Sequence, residues 1–475
     1  METISSSGFF EIFLEGITSE NPFFSMWFAF THGGWLIFLV VMIHGLWKIW
    51  LFEIQLSYYG AIPYILLAVH VPKLTEQTPK AAENIFAHLH GMMAGKGTMW
   101  DRYWKGKIQE NFACEIVSRG GNVQYYVRVP LKYRTVFEAS VFAQYPDAEI
   151  SEAADYVHEI PSVWPNEKYE MWGTEFALAR EEEYPIRTYT TFEDKLTQTF
   201  KDPLASLLEF LGSLRQDEQI FIQIPIFPVD EKWREKSIET VNKLIGKKVT
   251  PKTSMLHQAI SSTADIFVES VGGLVTPSRF PGGPAAPAAG GAPEPPTLMQ
   301  HLSPGEKSVI EQVQMKASKP GFKAKIRALY IAPREIFNRP HAMAGVIGAL
   351  KQFNTLDMNA FVMDKFTKTA ANYFFVKKRI AWRQKLLYLG YINRSSGRGR
   401  FPYILNTEEL ATIWHFPLKE TQAPLLSKAA SKKAEPPAGL PQREKPVLKR
   451  SERARKAQEA AQEEEQGLPE NIPFI

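Results

Sequence analysis

From Pro22 to Trp47 the chain carries no Asp, Glu, Lys or Arg, and Met26 to Phe52, MWFAFTHGGWLIFLVVMIHGLWKIWLF, is apolar almost throughout. A helix needs about 20 such residues to cross roughly 30 Å of hydrocarbon. The pattern therefore predicts one transmembrane helix, bounded at residues 22–56. Trp27 and Trp47 lie 20 positions apart, and at about 1.5 Å of rise per residue this sets one indole at each interface, with Trp50 thickening the second belt. Cleaved signal peptides open with basic residues and have a shorter apolar core, so the run does not read as one. Glu2, Glu11, Glu15 and Glu20 precede Met26 without any Lys or Arg, whereas Lys48, Lys73 and Lys80 follow. The positive-inside rule then predicts residues 1–21 outside and the rest in the cytoplasm, a single-pass arrangement in an inner membrane. His32 and His44 fall inside the span and raise the question of a proton or metal role, but no acidic partner accompanies them there. Phe9, Phe10, Phe13 and Leu14, within Ser5 to Gly16, suit either a short interfacial helix or an unstructured tail.

Beyond the span the periods change. Ile65 to Val71 is a short buried-strand run, and Thr78 with Pro79 opens an amphipathic helix carrying Ala82, Ile85, Phe86, Leu89 and Met93. Phe112 to Val117 and Val123 to Val129 read as strands joined by a turn at Gly120-Gly121. Leu131 to Gln144 reads as a helix, and Ala148 to Val157, sprinkled with acids, as an edge strand. This β-α-β-β-α-β order predicts a ferredoxin-like domain over residues 63–160.

A second ferredoxin-like domain is expected in two parts, 165–275 and 299–362. Its predicted elements are strands at Tyr169 to Arg180 paired with Ile186 to Thr191, a helix at Pro203 to Leu214, a strand at Ile220 to Ile226 and a helix at Glu231 to Gly246. After an interruption come a helix capped by Ser303-Pro304-Gly305-Glu306, a strand at Lys323 to Ile331 and a helix at Arg334 to Phe353. In that strand Lys323, Lys325 and Arg327 alternate with Ala324, Ile326 and Ala328, which predicts one wet face. The interruption, residues 276–298 around PGGPAAPAAGGAPEPP, is too rich in Pro, Gly and Ala to pack and is expected to be flexible. The fold class is thus α+β, with a basic helical segment at 363–417 and a disordered charged tail at 418–475.

The 475-residue chain has a net charge of +4, and its single cysteine, Cys114, excludes an intramolecular disulfide. Charge becomes informative only through its distribution. Lys365 to Arg400 holds ten basic residues and no acid, interleaved with Tyr373, Phe374, Phe375, Trp382, Tyr388 and Tyr391. Cations release counterions and rings stack on bases, so this is the expected footprint of nucleic-acid binding. Lys377, Lys378, Arg379, Arg383, Lys385, Arg398 and Arg400 are the candidate contacts, and Ser395 to Arg400 could wrap a phosphate. A solvated basic face, anionic lipid or an acidic partner would be served by the same residues.

Signs of catalysis are absent. Gly91 to Thr98, GMMAGKGT, puts three residues before Gly-Lys where a phosphate-binding loop has four, and Gly97 stands where a hydroxyl is needed. His88 and His90 are two apart and point to different sides of a helix, so they make no metal pair. No catalytic residue, cofactor or metal site is expected.

FEASVFAQYPDAEISEAADYV (Phe137 to Val157), with HVPKLTEQTPKAAENIFAHLHGM before it and KASKPGFKAKIRALYIAP, ALKQFNTLDMNAF and YILNTEELATIWHFP after it, closely resembles the membrane-anchored N-terminal region of conjugation-type ATPases. These belong to the type IV secretion and coupling-protein class of candidate-phylum bacteria. The resemblance spans about Ile65 to Pro441 and concerns a domain of unknown function. No ATP-binding residue of the family has a counterpart here. It implies a non-enzymatic membrane subunit of a secretion-like transfer system that docks a separately encoded P-loop ATPase or scaffolds a channel, partnered by the lipid bilayer and by that ATPase or other secretion subunits, or assembling as a homo-oligomer. The alternative is a membrane-tethered nucleic-acid-binding protein that uses the basic segment 365–400, with DNA as a candidate partner.

Overall fold

In the computed structural model the described residues are 35–71, 77–93, 95, 97–192, 200–246 and 302–418, with Phe23, Trp27, Phe28, Phe30 and Thr31 before them. The apolar stretch forms helix α1, Trp35–Ala61. Over Phe38–Ala61 its mean hydropathy is 1.4 and none of it is buried, so this one helix is apolar enough to span a membrane. It continues past the expected boundary at residue 56, and near its end the Tyr59 hydroxyl donates to Asn111 Oδ1 at 3.2 Å. Trp47 and Trp50 are neighbours on α1, ring centroids 5.2 Å apart. Trp27 precedes α1 and its ring meets Phe30. Only Ile62 and Pro63 separate α1 from strand β1, Tyr64–His70.

Helix α2, Pro79–Gly91, and the short helix α3, Met99–Tyr103, lead to β2, Phe112–Arg119, and β3, Asn122–Pro130; α4, Arg134–Gln144, and β4, Glu149–Ala153, follow. Gly120 and Gly121 take φ of 56° and 84° in the β2–β3 turn, where side chains are disfavoured. The chain then runs through β5, Tyr169–Leu178, α5, Ala205–Gly212, β6, Gln219–Pro228, and α6, Trp233–Leu244. After residue 302 come α7, Pro304–Ser318, β7, Gly321–Ala324, β8, Ile326–Pro333, α8, Arg339–Lys351, and β9, Phe361–Met363. The last described elements are α9, Val376–Ile392, β10, Tyr403–Asn406, and α10, Thr407–Ile413.

Among the described residues ten strands join in one antiparallel sheet ordered β4-β1-β3-β2-β6-β8-β5-β9, with β7 beside β6 and β10 beside β7. Two separate ferredoxin-like domains are therefore not established. The runs β4-β1-β3-β2 and β9-β5-β8-β6 each show the order fourth, first, third, second, but β2 pairs with β6 along its whole length and fuses them. Pro225 is tolerated in β6 because in an antiparallel strand N–H and C=O of one residue point the same way. Its carbonyl accepts from Lys325 N at the break between β7 and β8, so the missing N–H faces that break.

Ile186 to Thr191 does not pair with β5. Ile186 N donates to Glu409 Oε1 and Tyr189 N to Thr412 Oγ1, and Tyr189–Thr191 closes a 3-10 turn. These amides are taken by side chains of α10, which leaves them no strand partner. The expected edge strand does lie at an edge, as β4, and the Ser303 capping box forms. Ser5 to Gly16, His32, the 276–298 interruption and residues 419–475 lie outside the described residues.

One face of the sheet presents Ile220, Ile222, Ile224 and Ile226 from β6 to a core shared with α2, α4, α5, α8 and α10. The other face sends Val117, Phe221, Leu329 and Ile331 against Leu387, Tyr388 and Tyr391 of α9 and against Tyr156, Ile160 and Trp164. On the strand face expected to be wet Lys323 is exposed, but Lys325 and Arg327 are not. Both side chains are buried because α9 and the loop after it lie across them.

A candidate ligand groove on a buried ionic row

Four adjacent strands place one polar side chain each in a single row. Glu115 of β2 faces Gln223 of β6, Gln223 faces Arg327 of β8, and Arg327 faces Glu175 of β5. All four are buried, so each must find its partners inside the protein. Arg327 does most of the joining: Nε donates to Glu175 Oε1 at 2.8 Å, Nη1 to Gln223 Oε1 at 2.9 Å and to the Gly390 carbonyl at 2.7 Å, and Nη2 to the Ser395 carbonyl at 2.6 Å. Gln223 Nε2 donates to Glu115 Oε1 at 2.9 Å and to the Tyr391 carbonyl. Tyr156 gives its proton to Glu115 Oε2 at 2.7 Å, so the hydroxyl of Tyr391 donates to that of Tyr156.

Arg394 completes the row from above. It has φ of 48° and stands where a helix usually ends in glycine, with Arg394 N bonded to the Tyr391 carbonyl and Ser395 N to the Gly390 carbonyl. The left-handed backbone, costly for a side-chain-bearing residue, turns its guanidinium down onto the sheet. Nε meets Glu115 Oε1 at 2.8 Å, and Nη1 and Nη2 meet the Asp155 carboxylate at 2.6 and 2.9 Å. Burial would raise the Asp155 pKa, but the hydrogen bonds from Arg394 outweigh it and hold the carboxyl below its usual value. Lys325 Nζ donates to the Arg398 carbonyl at 2.6 Å and lies 3.5 Å from Glu175. Burial is the largest effect on it and lowers its pKa to about 8, against the pull of Glu175.

This buried charge holds the Ser395 to Arg400 loop, and it does so by the groups a phosphate would need. Arg398 N donates to Ser395 Oγ and Arg400 N to Glu175 Oε2. The expected phosphate wrap is thus replaced by internal bonds. Gly399 has φ of 83°, and a Cβ there would stand 2.3 Å from Glu175 Oε2, so only glycine passes over the carboxylate.

The candidate contact residues divide between core and surface. Lys377, Lys378, Arg379 and Lys385 are exposed on α9, Arg398 and Arg400 are exposed on the loop, and Arg383 is buried. Arg383 Nη1 donates to the Lys368 and Ala370 carbonyls, and burial lowers its pKa. Arg379 Nη1 donates to the Asn372 carbonyl at 2.9 Å, and Arg400 Nη1 to Asp364 Oδ1 at 3.1 Å. Tyr388 and Tyr391 belong to the core, whereas Tyr373, Phe374, Phe375 and Trp382 are exposed. Tyr373 and Phe375 have φ of 69° and 55°.

Between α9 and the loop lies a groove of about 750 Å³ lined by Phe366, Arg379, Trp382, Arg383, Arg400 and Phe401 among others. Phe366, Trp382 and Phe401 are all exposed, so three rings and two surface guanidiniums border one apolar hollow. Phe366 and Phe401 are new to the site. They lie at the two ends of the basic run, and the bond of Arg400 to Asp364 together with the bonds of Asp364, Thr367 and Arg400 to Glu175 brings the two segments side by side. Glu115, Gln223, Glu175 and Arg327 are likewise new, although a polar residue in the middle of each otherwise largely apolar strand was a usable signal.

Elsewhere the chemistry is quiet. Among the described residues no group of three His, Cys, Asp or Glu side chains gathers as for a metal. His90 Nε2 meets the Val229 carbonyl at 3.0 Å, and Cys114 is buried, its thiol pKa raised by desolvation. No curated protein matches the chain. A family model does match, over residues 67–428, which begins within β1, leaves α1 out and takes in the sheet, the ionic row and the groove. The chain belongs to the family defined by DUF8128, a domain of unknown function.

Proposed function

We propose that this protein is a non-enzymatic, membrane-anchored subunit of a transfer system of the type IV secretion or conjugation class, and that its groove takes single-stranded nucleic acid. The observation that carries the ligand is the groove itself: Phe366, Trp382 and Phe401 offer faces for stacking and Arg379 and Arg400 border them with positive charge, while Lys377, Lys378 and Lys385 are exposed on the same helix and Arg398 on the same loop. The transfer system rests on the resemblance to conjugation-type ATPases. On this reading α1 anchors the chain with its N-terminus outside and the sheet in the cytoplasm, and the two runs of strand order fourth, first, third, second are fused ferredoxin-like units.

The test is binding of the full chain, in mild detergent, to labelled single-stranded DNA. Affinity should fall steeply with salt, and Lys377→Glu, Lys378→Glu and Lys385→Glu together should flatten the salt slope by about 2, at roughly 0.7 per phosphate contact. Undetectable binding at low salt overturns the ligand assignment.

Docking of a separately encoded P-loop ATPase is the second reading, favoured by the resemblance of Phe137 to Val157 and its companion stretches to the region beside such ATPases. Co-purification from membranes in mild detergent tests it. Recovery of monomer alone, with no ATPase or secretion component, sinks it.

A further inference from the structure

A second aromatic and basic surface lies against α1. Thr98 caps α3 through a reciprocal bond with Asp101, and the chain then turns at Gly106, whose φ is 65°. A Cβ on Gly106 would lie 2.5 Å from Ile54 Cγ2 and 2.6 Å from the Ile54 carbonyl. The loop backbone is therefore pressed directly onto α1. One turn back along α1 Trp50 meets Trp104 edge-on at 5.4 Å, and two turns back Trp47 meets Tyr103 at 5.9 Å. Trp100 stacks on Trp104, centroids 4.9 Å apart and planes within 16°.

These rings are not gathered to fill a core. Met99 is 77% exposed, Trp100 57% and Trp104 53%, three large apolar side chains presented together and continuous with the exposed face of α1. Indole is amphipathic and concentrates at membrane interfaces. Beside the rings, Arg102 and Lys107 border a hollow of about 460 Å³ that also touches Gln55, Gly95 and Gly97. Gln55 is five residues past Trp50, about 7 Å along the helix, which matches the depth of one headgroup layer. Lys48 adds positive charge, Lys105 is offset by Asp101 at 2.9 Å, and Glu53 is the remaining nearby acid on α1.

We propose that Thr98 to Lys107 is a second membrane contact, with Met99, Trp100 and Trp104 in the interfacial layer of the leaflet nearest the sheet and Arg102 and Lys107 receiving lipid phosphate, most strongly from anionic lipid. The inference rests on α1 spanning the bilayer. Two attachments, helix and collar, hold the sheet in one orientation to the membrane, where a single helix would leave it free to tilt.

The test uses the full chain in vesicles, with a fluorophore on a cysteine introduced at one of three positions. Phe38→Cys reports on the span, Met99→Cys on the collar and Leu356→Cys, at a 98% exposed position, on water; the native Cys114 is buried and does not compete. Labels at Phe38→Cys and Met99→Cys should be quenched by nitroxide lipid, and the label at Leu356→Cys by iodide alone. Quenching at Met99→Cys should increase when phosphatidylglycerol replaces part of the phosphatidylcholine, and Arg102→Glu with Lys107→Glu should abolish that increase. Iodide quenching alone at Met99→Cys, with Phe38→Cys still in lipid, overturns the collar and spares the span. Iodide quenching at Phe38→Cys overturns both.

Discussion

Arg394 reaches Glu115 across 279 residues of chain, Nε to Oε1 at 2.8 Å, and both side chains are buried. Removing one partner of such a pair strands the other in the interior, at a cost of about 3–5 kcal/mol. Arg394→Met should lower the stability of the full chain by that amount in denaturant unfolding. Adding Glu115→Gln should return a large part of it, since the stranded charge is gone. Equal losses in the single and double variants would mean that Arg394 acts through packing alone.

Gly399 and Gly397 share one loop and differ in what lies beneath them. At Gly399 an added Cβ meets Glu175 Oε2 at 2.3 Å and φ is 83°, whereas at Gly397 nothing lies within 4 Å. Gly399→Ala should cost roughly 2–4 kcal/mol and Gly397→Ala less than about 0.5. Thermal unfolding of the two variants side by side gives the comparison.

Lys325 provides a pH signature. Its pKa is lowered from 10.5 to about 8 in the folded protein, so between these values the unfolded chain binds more protons and stability rises with pH. The penalty is fully present below pH 8 and is relieved by up to about 3 kcal/mol toward pH 10.5. Lys325→Met should lack this contribution, seen as a stability difference from wild type that changes across that window. Asp155 and Glu408 act at the other end: Arg394 and Lys319 hold their carboxyls below the ordinary value despite burial. The stability they supply is present above the usual carboxylate range and is lost as pH falls through their lowered values.

Stacking in the groove is tested by its rings. Base–aromatic contacts are worth about 1–3 kcal/mol each, so Trp382→Ala or Phe401→Ala should weaken single-stranded DNA binding by about 5- to 150-fold. The salt slope should stay unchanged, because no cation is lost. Parallel loss from Tyr388→Phe, a substitution in the core, would point to a folding effect instead.

Much of the secondary structure was legible because it is written in local period. Ile65 to Val71, Phe112 to Val117 and Ile220 to Ile226 announce strands, and Thr78-Pro79 and Ser303-Pro304 announce helix starts. What joins them was not legible, since the β2–β6 pairing depends on two strands buried on both faces, and such runs carry no alternation to say which neighbour each takes. The same blindness hid the ionic row. Lys325 and Arg327 look solvated by pattern, and their partners Glu175 and Gln223 lie far away in sequence. In the basic segment, Arg383 has the same local charge pattern as Lys385 and differs only in the side of α9 it occupies.

The final described elements supply a consequence for biogenesis. Trp414 and Phe416 pack against Phe86, Tyr125 and Tyr145, so the core of the earliest sheet strands is closed by residues translated long after them. At roughly 5–20 residues per second, the ribosome takes about 15–60 s to travel from Tyr125 to Trp414. Throughout that interval α1 is already available for insertion, while the apolar face of β1 to β3 and the carboxylate of Glu115 await their lids. Until Trp414 and Phe416 have been added after α10, the nascent chain is a half-finished sheet with that apolar face uncovered.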